Sequence, residues 1–193
     1  LRLAPDLADD AGLVDTFLHG REQAYTIDEC RDLVAAAGLA FQDVFLKASY
    51  YAPTSSPSEF LAAIAARPRE EQWSLMQRVN TSNACHFFLA CRPDRPRESY
   101  DINFTSGDPL RFVPSWRKGC RLDGRIALRH DWRRELDPLQ AALMERVDGH
   151  RTIALILEGV VESGAFARSD VADVAAAAVD ICTSLWQEDF LAM

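Results

Sequence analysis

Between Asp15 and Tyr25 the sequence sets a carboxylate, an imidazole, a guanidinium and a phenol (Asp15, His19, Arg21, Tyr25) in one short polar stretch. Side chains of these types on a loop can converge on a ligand. The competing reading is a solvated connection that Phe17 and Leu18 anchor to the core. A second constellation runs from Arg111 to Arg134. It holds eight Lys or Arg against Asp123 and Asp131, a local +6, with Phe112 and Trp116 interleaved. Such a stretch can contact nucleic acid or acidic protein; the competing reading is a solvated strand face whose arginines pair with acidic helices. Cys85-His86 with Cys91 forms a third, local cluster. It falls in an expected strand, Ala84 to Cys91, where alternate residues face opposite sides. That favours buried apolar cysteines over metal ligands.

Other chemistries lack their signatures. The nine glycines are widely spaced, so no GxG fingerprint or GxxxxGK[ST] phosphate loop occurs. The four histidines are far apart, with no HExxH, and no serine sits in a GxSxG elbow. No metal site is expected. The five cysteines are odd in number and scattered, which fits reduced, cytosolic thiols better than a disulfide framework. A formal charge of -8 argues against sequence-independent nucleic-acid binding, which rests on phosphate neutralisation. The apolar stretch around Val174 to Val179 is too short to cross a bilayer, and no signal-peptide pattern opens the chain. Because the chain starts at Leu1 in a loop-like run, residues upstream are expected to be missing. A cytoplasmic location is expected, with export of the parent left open.

These residues need elements to position them. Thr26-Ile27-Asp28-Glu29 makes a capping box and Gly38 a left-handed stop, so a helix is expected from Ile27 to Ala37. A strand follows from Phe41 to Lys47, with Tyr50 and Tyr51 just beyond. A second box, Ser56-Pro57-Ser58-Glu59, opens a helix to about Ala66, and Pro68 starts another to about Val79. The strand Ala84 to Cys91 then closes this part. Residues 93–99, with two prolines, read as a linker. Beyond it, short strands are expected at Tyr100 to Phe104, Leu110 to Trp116 and Arg125 to Arg129. Helices then follow at Pro138 to Val147, Thr152 to Glu158 and Asp170 to Gln187, with Thr152 and Ser169 as N-caps. The last carries one apolar face, and Leu185, Trp186, Phe190, Leu191 and Met193 make an apolar end to be packed or covered by a partner.

The passage Asp15-Thr16-Phe17-Leu18-His19-Gly20-Arg21-Glu22-Gln23-Ala24-Tyr25-Thr26, then Ala37-Gly38-Leu39 and Phe41, resembles a recurring stretch of class I S-adenosylmethionine-dependent methyltransferases. There it follows the cofactor-binding part of the sheet. The resemblance implies that Phe41 to Lys47 is the sixth strand, that Ala84 to Cys91 is the antiparallel seventh, and that the helices between are an insertion. The turn Val147-Asp148-Gly149-His150-Arg151-Thr152-Ile153 is similar to the turn joining the first helices of small winged-helix modules. The whole is similar to bacterial protein lysine methyltransferases of the rickettsial outer-membrane-protein type and their mycobacterial, histone-methylating relatives.

The implied fold is α/β followed by α+β. Residues 1–92 would be the end of a methyltransferase sheet with a regulatory or dimerising insertion, and 100–193 a winged-helix-like domain. The implied function is the substrate-recognition and dimerisation half of a protein lysine methyltransferase, inactive alone. Its cofactor, S-adenosylmethionine, would be held mainly by residues upstream. Tyr25 or His19 would orient or deprotonate the acceptor amine. Asp15 and Arg21 would hold the loop or the polar end of the cofactor, and Tyr50 and Tyr51 would border the acceptor. The partners implied are a protein substrate and a second copy of the chain, with no membrane. Two other classes compete: a winged-helix DNA-binding regulator, which the acidic last helix disfavours, and a non-catalytic interaction scaffold.

Overall fold

In the computed structural model, residues 10–18, 20, 23–54, 56–81, 83, 85–130, 132–164 and 171–193 are described. The stretch expected to be a loop from Asp15 begins inside a helix, α1 (Asp10–Phe17), whose first turn carries Asp10, favourable at that end of the dipole. Thr26 and Glu29 form the expected capping box, Glu29 N donating to Thr26 Oγ1 at 3.2 Å and Thr26 N to Glu29 Oε2 at 2.7 Å. The helix they open, α2 (Ile27–Ala36), buries Ile27, Cys30 and Val34. Gly38 ends it at φ 70°, a conformation that suits only glycine well.

Strand β1 (Ala40–Val44), helices α3 (Glu59–Ala65) and α4 (Arg69–Val79) and strand β2 (Phe88–Cys91) follow. Ser58, not Ser56, caps α3, its Oγ accepting from Leu61 N at 3.4 Å. β1 and β2 pair antiparallel with an irregularity between Phe41 and Asp43. On their inner face Phe41 stacks on Phe88 at 5.1 Å, and Trp73 of α4 lies 5.6 Å from Phe41. Ile27, Val44, Tyr50 and Tyr51 complete this core.

Both strands are shorter than the sequence predicts. Past Val44 the chain turns into a 3-10 turn, Lys47–Ser49, because Asp189 accepts from Lys47 N at 3.0 Å and from Ala48 N at 2.9 Å. Ahead of β2, His86 is drawn out of the ladder by its own hydrogen bonds, and Ala84 lies outside the described residues.

The second half has a different texture. β3 (Ser115–Trp116) pairs with β7 (Leu191–Ala192), and β4 (Cys120–Asp123), β5 (Ile126–Arg129) and β6 (Trp132–Glu135) form a meander. Helices α5 (Pro138–Met144), α6 (Ile153–Glu162) and α7 (Val171–Gln187) pack around Leu143, Ile156, Val160, Ile181, Leu185 and Phe190. Thr152 caps α6 as expected, while Ser169 lies outside the described residues. The strand expected at Tyr100 to Phe104 is irregular chain instead. Arg69 pins it there, Nη1 to Asp101 at 2.5 Å and Nη2 to the Ile102 carbonyl at 2.7 Å. Leu110 to Trp116 keeps only β3 as strand, after a 3-10 turn at Pro109–Arg111.

Every strand pair among the described residues is antiparallel, and the class is α+β. Residues 92–99 are exposed. The elements on either side of them meet at α7: Trp186 lies 5.6 Å from Tyr51, and Thr54 and Ser184 share a hydrogen bond of 2.5 Å. Among the described residues no helix is long and apolar enough to cross a membrane.

Candidate functional site

The capping box fixes where the chain enters α2, and Gln77 of α4 fastens the same point by accepting from Ile27 N at 2.6 Å. Ser74 of α4 adds a bond to Asp28 at 2.6 Å. Tyr25, one residue ahead of the cap, is thereby held against the loop that joins α4 to β2. Between them lies a cleft of about 550 Å³, lined by Gln23, Tyr25, Cys30, Asn83, Cys85 and His86 among others.

His86 organises this cleft. Its Nε2 lies 2.7 Å from the Tyr25 carbonyl oxygen and its Nδ1 2.6 Å from the Tyr50 hydroxyl. A carbonyl only accepts, so Nε2 carries the proton. In the neutral ring Nδ1 then accepts from Tyr50. Asn83 Nδ2 donates to the same hydroxyl at 2.9 Å, completing a one-way chain: Asn83 to Tyr50 to His86 to the backbone of Tyr25. Burial raises the Tyr50 pKa above its usual value, so this hydroxyl stays a donor. Burial likewise raises the pKa of Cys30, with Glu29 adding to the effect, and keeps it a thiol.

The predicted site residues fare differently. Tyr25 sits at the cleft mouth, 39% exposed, with no partner for its hydroxyl among the described residues. Tyr50 stands behind His86, 1% exposed, and acts on the imidazole rather than at the surface. Tyr51 points away into the aromatic core between Trp73 and Trp186, with its hydroxyl buried and unbonded. Asp15 falls in α1, and its side chain, His19 and Arg21 lie outside the described residues. The sequence points to His86 only within a cysteine cluster inside the expected strand Ala84 to Cys91, and to Asn83, just ahead of that strand, not at all. The usable signal was the polar run Asn80-Thr81-Ser82-Asn83, which marks a loop between an amphipathic helix and an apolar strand.

The basic stretch is divided by the fold. Arg117 and Arg129 both reach the buried Asp189, and Arg134 binds Glu188 at 2.5 Å. Lys118 has no partner among the described residues. Strand register puts Cys120, Arg129 and Trp132 on one rung of the meander and Arg121, Leu128 and Arg133 on the next, hence on opposite faces.

Among the described residues no group of three or more His, Cys, Asp or Glu is placed to hold a metal ion. No model of a known protein family matches the chain.

Proposed function

We propose that this chain is the acceptor-recognising and dimerising half of a class I S-adenosylmethionine-dependent methyltransferase whose acceptor is a protein lysine. The observation that carries the reading is the order α2, β1, α3, α4, β2, with β1 and β2 antiparallel and the outer edge of β2 unpaired among the described residues. A two-stranded ribbon alone is marginal. Its β1 edge is closed by side chains at Val44: Asp43 Oδ1 takes Val44 N at 2.8 Å, and Lys47 Nζ donates to the Val44 carbonyl at 3.0 Å. Growth of this sheet therefore goes through β2, beside the exposed Phe87 and Leu89. That is what a chain carrying only the end of a larger sheet requires.

The Tyr25 cleft does not fit the cofactor. Among the described residues no carboxylate lines it to take ribose hydroxyls, and no glycine lets the backbone approach a ligand closely. Its acceptors suit an amine, whose N–H groups can donate to the oxygens of Tyr25 and Asn83. The part this chain plays is then to orient the acceptor and exclude water from it. The dimerising role is supported by Phe60 of α3 and Leu75 and Val79 of α4, apolar residues that the insertion exposes.

Calorimetric titration of S-adenosylhomocysteine tests the proposal, run on this chain and on the upstream-extended form that the proposal requires its gene to encode. Binding by the extended form alone is the expected result, followed by methyl transfer to protein lysines. If neither form binds, the methyltransferase reading fails and the interaction scaffold replaces it.

A further inference from the structure

A second cleft, of about 350 Å³, lies between Leu46 and the turn that leads from β3 into the meander, and shares no residue with the Tyr25 cleft. Arg117, Lys118, Arg129, His130 and Trp132 line it, with Asp189 at its base. Asp189 is saturated: Lys47 N and Arg117 meet Oδ1, while Ala48 N and Arg129 meet Oδ2. One carboxylate thus answers two guanidiniums whose side chains are only 22% and 18% exposed. Each guanidinium uses Nη1 alone, so its Nε and Nη2 have no partner among the described residues. With Lys118 also unpaired, the described residues that line the cleft carry two positive charges more than negative ones. Aromatic faces hold the guanidiniums in place, Arg117 over Phe45 at 5.1 Å and Arg129 over Trp132 at 5.2 Å.

Apolar surface frames these cations. Phe45, Leu46 and Trp132 are 50%, 41% and 55% exposed. Across Arg117 and Lys118 the surface continues into a larger, more apolar cleft floored by Leu89, Ile102 and Met193. We propose that this cleft docks an acidic segment of a partner protein, in which a Glu or Asp has apolar neighbours. The carboxylate seats on the free nitrogens of Arg117, Arg129 and Lys118, and an apolar side chain packs on Trp132 and Leu46.

Nucleic acid is the weaker occupant. The chain carries -8 overall; of the other arginines in the meander strands, Arg121 and Arg133 lie on its other face, followed there by Asp123 and Glu135, and Arg134, on the face of Arg129, is bound to Glu188. A symmetric contact between two copies is disfavoured as well, since it would set the same cations against each other.

Fluorescence anisotropy with three labelled probes tests the assignment: a peptide with two glutamates between leucines, the same peptide with glutamines, and a short DNA duplex. Wild type, Lys118→Glu and Trp132→Ala are compared, both changes being at exposed positions, with thermal melts to verify folding. The glutamate peptide is expected to bind about tenfold more tightly than the glutamine peptide, and each substitution to weaken it about tenfold. Added salt should weaken it further. Equal binding of the two peptides, indifference to both substitutions, or tighter binding of the duplex overturns the proposal. No readout involves methyl transfer, so failure here leaves the methyltransferase reading standing, and the reverse.

Discussion

Asp189 occupies a position where a helix end favours glycine. Its φ is 64°, with Asp189 N bonded to the Trp186 carbonyl at 3.2 Å and Phe190 N to that of Leu185 at 2.8 Å, so it caps α7 in the left-handed region. An L-residue there costs roughly 1–2 kcal/mol. The strain is kept because the carboxylate joins α7 to the turn after β1 and to two arginines of the basic stretch. Asp189→Ala should therefore destabilise the protein by about 3 kcal/mol, the lower end for an orphaned ion pair because both arginines are partly exposed. Asp189→Gly should lose about 1 kcal/mol less, since it removes the strain along with the charge. Urea midpoints at unchanged m-value check both; equal losses would mean that the backbone is unstrained. Tyr50 offers a second residue-scale test. Tyr50→Phe leaves Asn83 and Nδ1 of His86 without their shared hydroxyl, for an expected loss of about 1–2 kcal/mol. The Nδ1 resonance of His86 should shift in imidazole 15N spectra, which a change in packing alone would not produce.

Between α5 and α6 the chain turns on Asp148, whose Oδ1 accepts from His150 N at 2.9 Å and Arg151 N at 3.0 Å. These backbone donors, Arg151 first and His150 next, with the Arg151 side chain adding to them, lower the carboxyl pKa to about 2. A depressed folded-state pKa gives stability that is present above the unfolded value and lost as pH falls through the folded one. Asp148→Asn, which keeps an acceptor but no charge, should melt below wild type at neutral pH, with the gap closing between about pH 4 and pH 2. A gap that persists at low pH would assign the effect to turn geometry instead. The same local chemistry explains which elements were legible in the sequence. Thr26 with Glu29, Thr152 and Gly38 act within a few residues, so α2 and the start of α6 could be read directly. The limits of β1 and β2 and the irregular path of Tyr100 to Phe104 could not, because they are set by Asp189, Tyr25 and Arg69, each distant in sequence. Of the candidate site, Tyr25 was readable from its loop. His86 was not, because its role depends on a tyrosine 36 residues away.

At the scale of the molecule, two apolar cores meet at α7. Leu185 and Ile181 face the core built on α5 and α6, while Trp186 turns into the cluster of Tyr51, Trp73 and Val44. Trp186 also lies 5.6 Å from Phe104, which borders both clusters, and Lys47 sits over its ring at 4.8 Å. The helix that completes one core thus supplies a wall of the other, so the two should unfold together. Far-UV circular dichroism and tryptophan fluorescence are then expected to report one coincident denaturant transition. Trp186→Ala removes a side chain that is 4% exposed, at a cost of about 3–5 kcal/mol. The loss falls on the shared wall, so the two probes should separate in that variant. The elements up to β2 would melt first, because Ile181, Leu185 and Phe190 still hold the second core. Two transitions already present in the wild type would show that the cores fold independently and that residues 93–99 act as a linker between them. A single transition surviving in Trp186→Ala would place the coupling in Asp189 and its arginines instead.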